Sequence, residues 1–322
     1  MSCLYIKEKD EDYYFDIIID IQLMDLYKEY EEKENFKYDI KYFSVLGLTN
    51  KYINGEWNLE YFCTFFEDNI IFSALSKEEL DSLDKPKTKL KKAFYNLKEI
   101  KKKDNDKIEI TDGEVGEVFL YGIMHGYYDA INLVPKIFYK QNRNDNVKGA
   151  DSVHITISNK EIGIWFGEAK FYLDIKSAIS QAVSSISEFF ENLIYKELSI
   201  SYPYLKDYKN DIDKESFNKL KYLLKEENID KLKEYLHVPI LILYEEEKLK
   251  DVKSIDEFIS EEINSIFIDN AMSLLKKQII EFQKHNIFKY ESIKIHIIFF
   301  PILNKKDIMV EINYIKDFYL RK

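Results

Sequence analysis

The chain has little of what builds the most familiar catalytic centres. Its 322 residues include two cysteines, nine glycines, five prolines, two tryptophans and five histidines. Cys3 and Cys63 have no metal-ligand spacing, and two thiols in so long a chain point to a reducing compartment and away from a disulfide framework. The histidines are scattered, so no imidazole and thiolate set suited to zinc stands out. There is no glycine-rich phosphate loop, no Ser/His/Asp set and no thiol with a neighbouring base. Protease, kinase and nucleotide-hydrolase activities are therefore disfavoured. The longest apolar runs, 238–244 and 295–303, are far too short to span a bilayer. Residues 1–11 are charged, unlike a signal peptide, and the expected location is the cytoplasm, with no membrane partner.

Arginine is as scarce, with only Arg143 and Arg321, and acids outnumber bases 58 to 47 for a formal charge of −11. Such a balance repels a polyanion and weakens nonspecific nucleic-acid binding. The charge is uneven. Residues 85–103 hold nine lysines and one glutamate, a local +8 that leaves −19 for the rest. That stretch reads as a helix that could track phosphates or simply present a solvated face.

The informative segment is Gly149-Ala150-Asp151-Ser152-Val153-His154-Ile155 followed by Gly167-Glu168-Ala169-Lys170-Phe171-Tyr172. Two apolar runs flank Ser158-Asn159-Lys160-Glu161, a polar group suited to a tight turn, and predict a β-hairpin. With Asn159 and Lys160 as the loop, Ser158 pairs with Glu161 and Asp151 falls opposite Glu168. Directly opposite residues share a face with Cβ atoms about 5 Å apart, and alternation adds Lys170 to that face. Two carboxylates so close repel each other unless something positive lies between them. Oxygen ligands with room for water and phosphate favour Mg²⁺ or Mn²⁺. Such an ion would polarise a scissile phosphate and activate water, and Lys170 could orient that water or stabilise developing charge. An acid-x-base triplet alone is weak evidence, since a chain this charged should hold on the order of ten by chance. Here, however, an apolar strand, Ile162-Gly163-Ile164-Trp165-Phe166-Gly167, leads into it. The plainer alternative is a hairpin end reaching solvent, with Glu168 and Lys170 as a surface pair.

Upstream, Asp112-Gly113-Glu114-Val115-Gly116-Glu117 opens a helix expected over 112–132, with Asp112 as its N-cap. Glu114 lies on a mixed stripe with Val118, Tyr121, His125 and Asp129. Glu117 begins an otherwise apolar row with Leu120, Met124, Tyr128 and Ile131, so it is the better helical acid for the site. A first-turn glutamate favoured by the helix dipole is the alternative. His154 should point away from the acids, because it alternates with Asp151 and Val153 on its strand.

A helical acid, a strand aspartate and Glu-x-Lys on the next strand resemble the PD-(D/E)xK nuclease superfamily. The wording of Gly116-Glu117-Val118-Phe119-Leu120-Tyr121, Lys148-Gly149-Ala150-Asp151-Ser152-Val153-His154 and Phe166-Gly167-Glu168-Ala169-Lys170-Phe171-Tyr172, with Ala178, Ala182 and Ser185 following, is similar to HamA-type proteins. These are nuclease subunits of Hachiman antiphage systems, and the related AbpA proteins share the domain. The resemblance covers roughly residues 110–302 and is strongest over 114–190. Ala150 stands where the superfamily name expects proline. The resemblance implies a Mg²⁺- or Mn²⁺-dependent DNA nuclease in the bacterial cytoplasm, and a controlling helicase of superfamily 2, HamB-like, on another chain. It implies metal ligation by Glu117, Asp151 and Glu168 and catalysis by Lys170. It also implies a place near the phosphate or water for Gln181, which otherwise reads as a solvated helix glutamine.

At 46% hydrophobic the chain can bury a sizeable core, expected as one main domain, 109–322, with an α+β elaboration over 1–108. Strands are expected at 134–140, in the hairpin, at 238–244 and at 293–301. Helices are expected at 112–132, 174–198, 214–225 and 255–284. The order helix, three strands, helix, strand implies the restriction-endonuclease-like fold, a three-layer α/β core whose central mixed sheet carries helices on both faces. Two other functions stay open. One is a targeted endonuclease of a mobile element or restriction system; the other is a non-catalytic regulatory or DNA-binding subunit that retains the nuclease fold.

Overall fold

A computed structural model of the protein describes residues 14–23, 27–101, 109–141, 149–259 and 261–320. In chain order its elements begin with β1 (Asp16–Gln22), α1 (Tyr27–Glu34), β2 (Tyr42–Thr49), β3 (Tyr52–Ile53) and β4 (Glu56–Trp57). Then come α2 (Leu59–Ala74), α3 (Lys77–Ser82), α4 (Pro86–Lys101), α5 (Asp112–Tyr128), β5 (Ile131–Val134) and α6 (Lys136–Gln141). The hairpin β6 (Ser152–Ser158) and β7 (Glu161–Tyr172) leads to α7 (Ile175–Glu188), a π-helical turn (Phe189–Leu193), α8 (Ile194–Tyr204), α9 (Lys214–Leu223) and α10 (Ile229–Leu232). The last elements are β8 (Leu236–Glu245), α11 (Ile255–Phe258), α12 (Glu261–Lys284), β9 (Lys294–Ile302) and α13 (Lys305–Leu320).

Seven strands form one mixed sheet in the order β1-β2-β9-β8-β7-β6-β5. The inner four, β2, β9, β8 and β7, run parallel, and antiparallel pairings add β1 at one edge and β6 and β5 at the other. Inner parallel strands are covered on both faces, which is why β8, Leu-His-Val-Pro-Ile-Leu-Ile-Leu-Tyr-Glu, is nearly continuously apolar and buried. Consecutive residues of β9 show the two layers. Phe299 stacks on Phe267 of α12, whereas Phe300 meets Phe62 of α2 and Phe119 of α5. The result is the expected α/β arrangement of a mixed central sheet flanked by helices.

The boundary expected near residue 108 lies at 102–108, outside the described residues. On either side of it the chain shares one sheet, because β1 and β2 continue the ladder of β9. The strand expected at 134–140 is displaced. It ends at Val134, and α6 begins two residues later. Pro135 explains this, since it cannot donate to a ladder and its fixed φ favours the first turn of a helix. The single helix expected at 174–198 is α7 and α8 joined through the π-turn, with Asp174 capping the Ser177 N–H at 2.8 Å. The helix expected at 255–284 is broken, because Ile259 is extended between α11 and α12.

Candidate active site

The hairpin turn sets the site. Asn159 and Lys160 both adopt left-handed backbone, φ 49° and 67°, the conformation of a two-residue turn whose twist matches the strands. The register then runs from Ser158 opposite Glu161 to Ser152 opposite Gly167. One step further, Asp151 lies close enough for its charge to act on Glu168. Asp151 is a bend just before β6, held at both ends. Its N–H donates to the Gly167 carbonyl at 2.8 Å, and its Oδ2 accepts from the Ala169 N–H at 2.9 Å.

Alternation along β7 separates the chemistry from the packing. Gly167 and Ala169 face α5: a Cβ built on Gly167 would stand 2.8 Å from Leu120 Cδ2, and one built on Gly116 would stand 3.2 Å from the Ala169 Cβ. Helix α5 therefore rides close over the strand because both surfaces are small. Glu168 and Lys170 face the other way, toward α7, where the Ser185 hydroxyl hydrogen-bonds the Glu168 carboxylate. Lys170 Nζ is 2.5 Å from Glu168 Oε1, and both side chains are nearly enclosed. Burial first, and the Asp151 charge second, push the Glu168 carboxyl up against the opposing pull of Lys170 and Ser185. Burial works against the Lys170 charge, but Glu168 and then Asp151 outweigh it and hold the ammonium above its ordinary range. Two carboxylates and one ammonium thus share a poorly hydrated corner where positive charge is favoured.

The two helical acids separate cleanly. Glu114 closes a capping box: its carboxylate accepts from the Thr111 N–H at 2.7 Å, while the Thr111 hydroxyl accepts from the Glu114 N–H at 3.3 Å. Thr111, not Asp112, is the N-cap. Asp112 instead meets Lys305 Nζ at 2.5 Å. Glu117 lies deeper on α5 and is 1% exposed. Its charge acts on Tyr121 one turn on, whose phenol is pushed up by burial foremost and by Glu117 next. Among the described residues no three His, Cys, Asp or Glu side chains gather closely enough to hold a metal ion. The arrangement brings Asp151, Glu168 and Lys170 together and leaves Glu117 outside that group. Gln181 is exposed on α7, one turn before Ser185 on the same side of the helix.

Two residues at the site had no functional reading in the sequence. Ser185 stands there only as part of the HamA-like wording, with no role attached, and its contact with Glu168 depends on which turn of α7 crosses β7. Lys305, at the start of α13, reaches back to the Phe171 carbonyl at 2.7 Å and lies 4.8 Å over the Phe171 ring. Nothing local marks it. His154 is fully buried on the α5 face against Tyr121, with ring centroids 4.7 Å apart. Burial lowers its imidazole to about 3, so it is neutral and turned away from the acids.

As a donor set, Asp151 and Glu168 offer two hard oxygen ligands, the chemistry that Mg²⁺ or Mn²⁺ takes, and a cation between them would relieve their mutual repulsion. No helix among the described residues is long and apolar enough to cross a membrane. No curated protein matches the chain. A family model does: HamA, over residues 24–314. The match takes in α1 through most of α13, including every site residue described above, and the chain belongs to the HamA family of antiphage defence proteins.

Proposed function

We infer that the protein is a metal-dependent deoxyribonuclease of restriction-endonuclease-like fold, the effector of a two-component Hachiman antiphage system in the bacterial cytoplasm. The observation that carries this reading is the convergence of Asp151, Glu168 and Lys170 at one enclosed corner of the sheet. With α6 set between β5 and β6, and α8 to α10 before β8, the order α5, β5, β6, β7, α7, β8 keeps the helix, three strands, helix, strand sequence that the resemblance implies.

Asp151 and Glu168 would hold Mg²⁺ or Mn²⁺; Glu117, the third ligand that the resemblance implies, stands apart on α5. The ion, when bound, supplies Lewis acidity toward a phosphoryl oxygen and an acidified water. The chain's own groups do the rest. The Ala169 N–H fixes one Asp151 oxygen, Oδ2. Ser185 orients Glu168. Lys170 stays protonated and places positive charge where negative charge develops on the phosphate, without reorganisation at the moment of reaction. Gln181, exposed one turn before Ser185, would contact the phosphate or water. Burial beside α7 keeps this corner poorly hydrated, which strengthens each of these interactions.

The net charge of −11 fits a subunit that receives DNA from a partner instead of capturing it. A HamB-like superfamily 2 helicase is the proposed partner, and the lysines of α4 offer a secondary phosphate track. The test is degradation of linear and circular DNA by the protein with that partner and ATP, in Mg²⁺, in Mn²⁺ and in EDTA. Cleavage that requires metal supports the reading. No cleavage with the partner present and metal bound supports instead a non-catalytic regulatory subunit, the reading that the closed Glu168–Lys170 ion pair and the separate position of Glu117 favour.

A further inference from the structure

Asp151 is also held from behind. The Glu197 side chain, on the first turn of α8, is fully buried, and Lys136 Nζ of α6 lies 2.5 Å from its Oε1. Its Oε2 accepts from the Ala150 N–H at 3.2 Å. The backbone before Ala150 runs against the same oxygen, since a Cβ built on Gly149 would stand 2.4 Å from Glu197 Oε2. A side chain at 149 would have to push the Glu197 carboxylate aside, which gives glycine there a steric reason. The next residue after Ala150 is Asp151.

A buried ion pair is a poor stabiliser, because desolvation offsets most of its attraction and the remaining lone pairs must also be satisfied. Such a pair is better suited to fixing a position. Here it fixes one on each side. Toward the chain it holds Gly149 and Ala150. Toward the helix layer, the Lys136 N–H donates to the Tyr121 hydroxyl at 3.2 Å, and Tyr121 in turn feels the charge of Glu117. One polar line thus runs from the helical acid through Tyr121, Lys136 and Glu197 to the backbone that carries the strand acid. Helix α8 reaches this point directly after the π-turn at Phe189–Leu193, a feature that recurs near functional sites.

We propose that Glu197, locked by Lys136, is a positioning residue for Asp151, setting its carboxylate through the Gly149–Ala150 backbone. The proposal rests on the nuclease reading for its consequence, but not for its geometry. Two double variants test it. Lys136→Met with Glu197→Gln removes both charges and keeps an amide oxygen for the Ala150 N–H. Lys136→Met with Glu197→Leu removes both charges and the acceptor. Each abolishes the ion pair, so a purely stabilising role would move both alike.

Three readouts are compared: amide hydrogen exchange at Ala150 and Asp151 without metal, Mn²⁺ affinity by calorimetry, and kcat and KM on linear DNA with the partner present. The Gln variant should stay close to wild type in all three. The Leu variant should exchange faster at both amides and lose about 10–100-fold in Mn²⁺ affinity and in kcat, with KM for DNA unchanged and a Tm matching the Gln variant. Equal behaviour of the two variants overturns the proposal. If the wild type neither binds Mn²⁺ nor cleaves, the nuclease reading fails, while the exchange rates still decide whether Glu197 holds the segment. Should the Leu variant not fold, the Gln variant decides: it keeps an acceptor for the Ala150 N–H and must preserve slow exchange there, and fast exchange overturns the proposal.

Discussion

His154→Phe separates a histidine that packs from one that takes part in chemistry. His154 stands three residues from Asp151 in the same strand, so a catalytic or ligating role is the obvious suspicion. The structure places it on the opposite face, fully buried against Tyr121, with neither ring nitrogen hydrogen-bonded among the described residues. Its folded pKa of about 3 lies below the ordinary 6.5, so between those values the unfolded chain binds a proton that the native state refuses. Stability from this group is therefore full above pH 6.5 and is lost as pH falls toward 3. At pH 5 the loss comes to about 2 kcal/mol, and for a chain of this length that lowers Tm by roughly 3 °C. The phenylalanine variant cannot bind that proton. Denaturant unfolding of both proteins at pH 7.5 and pH 5 should show the variant losing about 2 kcal/mol less on acidification, with metal-dependent cleavage retained at neutral pH. Parallel stability losses, or cleavage abolished by the substitution, would refute the buried neutral assignment.

Lys170→Ala should reduce cleavage by about 10²–10³-fold, the range for loss of one preorganised electrostatic contact, while leaving circular dichroism unchanged; cleavage at the wild-type rate would remove Lys170 from the mechanism. Glu114→Ala should cost about 1 kcal/mol of stability by opening the capping box and leave cleavage intact, whereas Glu117→Gln should impair cleavage. The reverse pattern in a side-by-side assay would transfer the helical acid to Glu114. Gly167→Ala should destabilise by about 1–3 kcal/mol through overpacking, because its Cβ would stand 2.3 Å from Ser152 Oγ and 2.8 Å from Leu120 Cδ2; a thermal melt matching wild type would show that α5 can move off the strand.

The hairpin was readable to the residue, because a two-residue turn and period-two alternation leave no freedom in register once Asn159 and Lys160 are placed. That is why Asp151, Glu168 and Lys170 could be brought together from spacing alone. Glu114 and Glu117 were distinguishable by helical phase, and burial of Glu117 agrees with the apolar row it begins. Elements decided by a single residue were harder. Pro135 moved β5 upstream of its expected place, and the π-turn at Phe189–Leu193 interrupted a helix whose apolar pattern runs straight through it. The addition of β1 and β2 to the central sheet is a long-range pairing, Phe43 with Ile295 for one, and no local signal in either strand announces it. The same holds for Glu197. Its role arises only when α8, α6 and the chain before β6 meet, and in sequence it is one glutamate among many on a helix.

The most direct test of the account is a manganese soak of crystals of the protein bound to a short DNA duplex, read as an anomalous difference map. The account predicts a peak between the Asp151 and Glu168 carboxylates, with a phosphate within reach of Lys170. A map with no peak there while manganese occupies another site, or one in which the Glu168–Lys170 pair stays closed and DNA lies elsewhere, would contradict it.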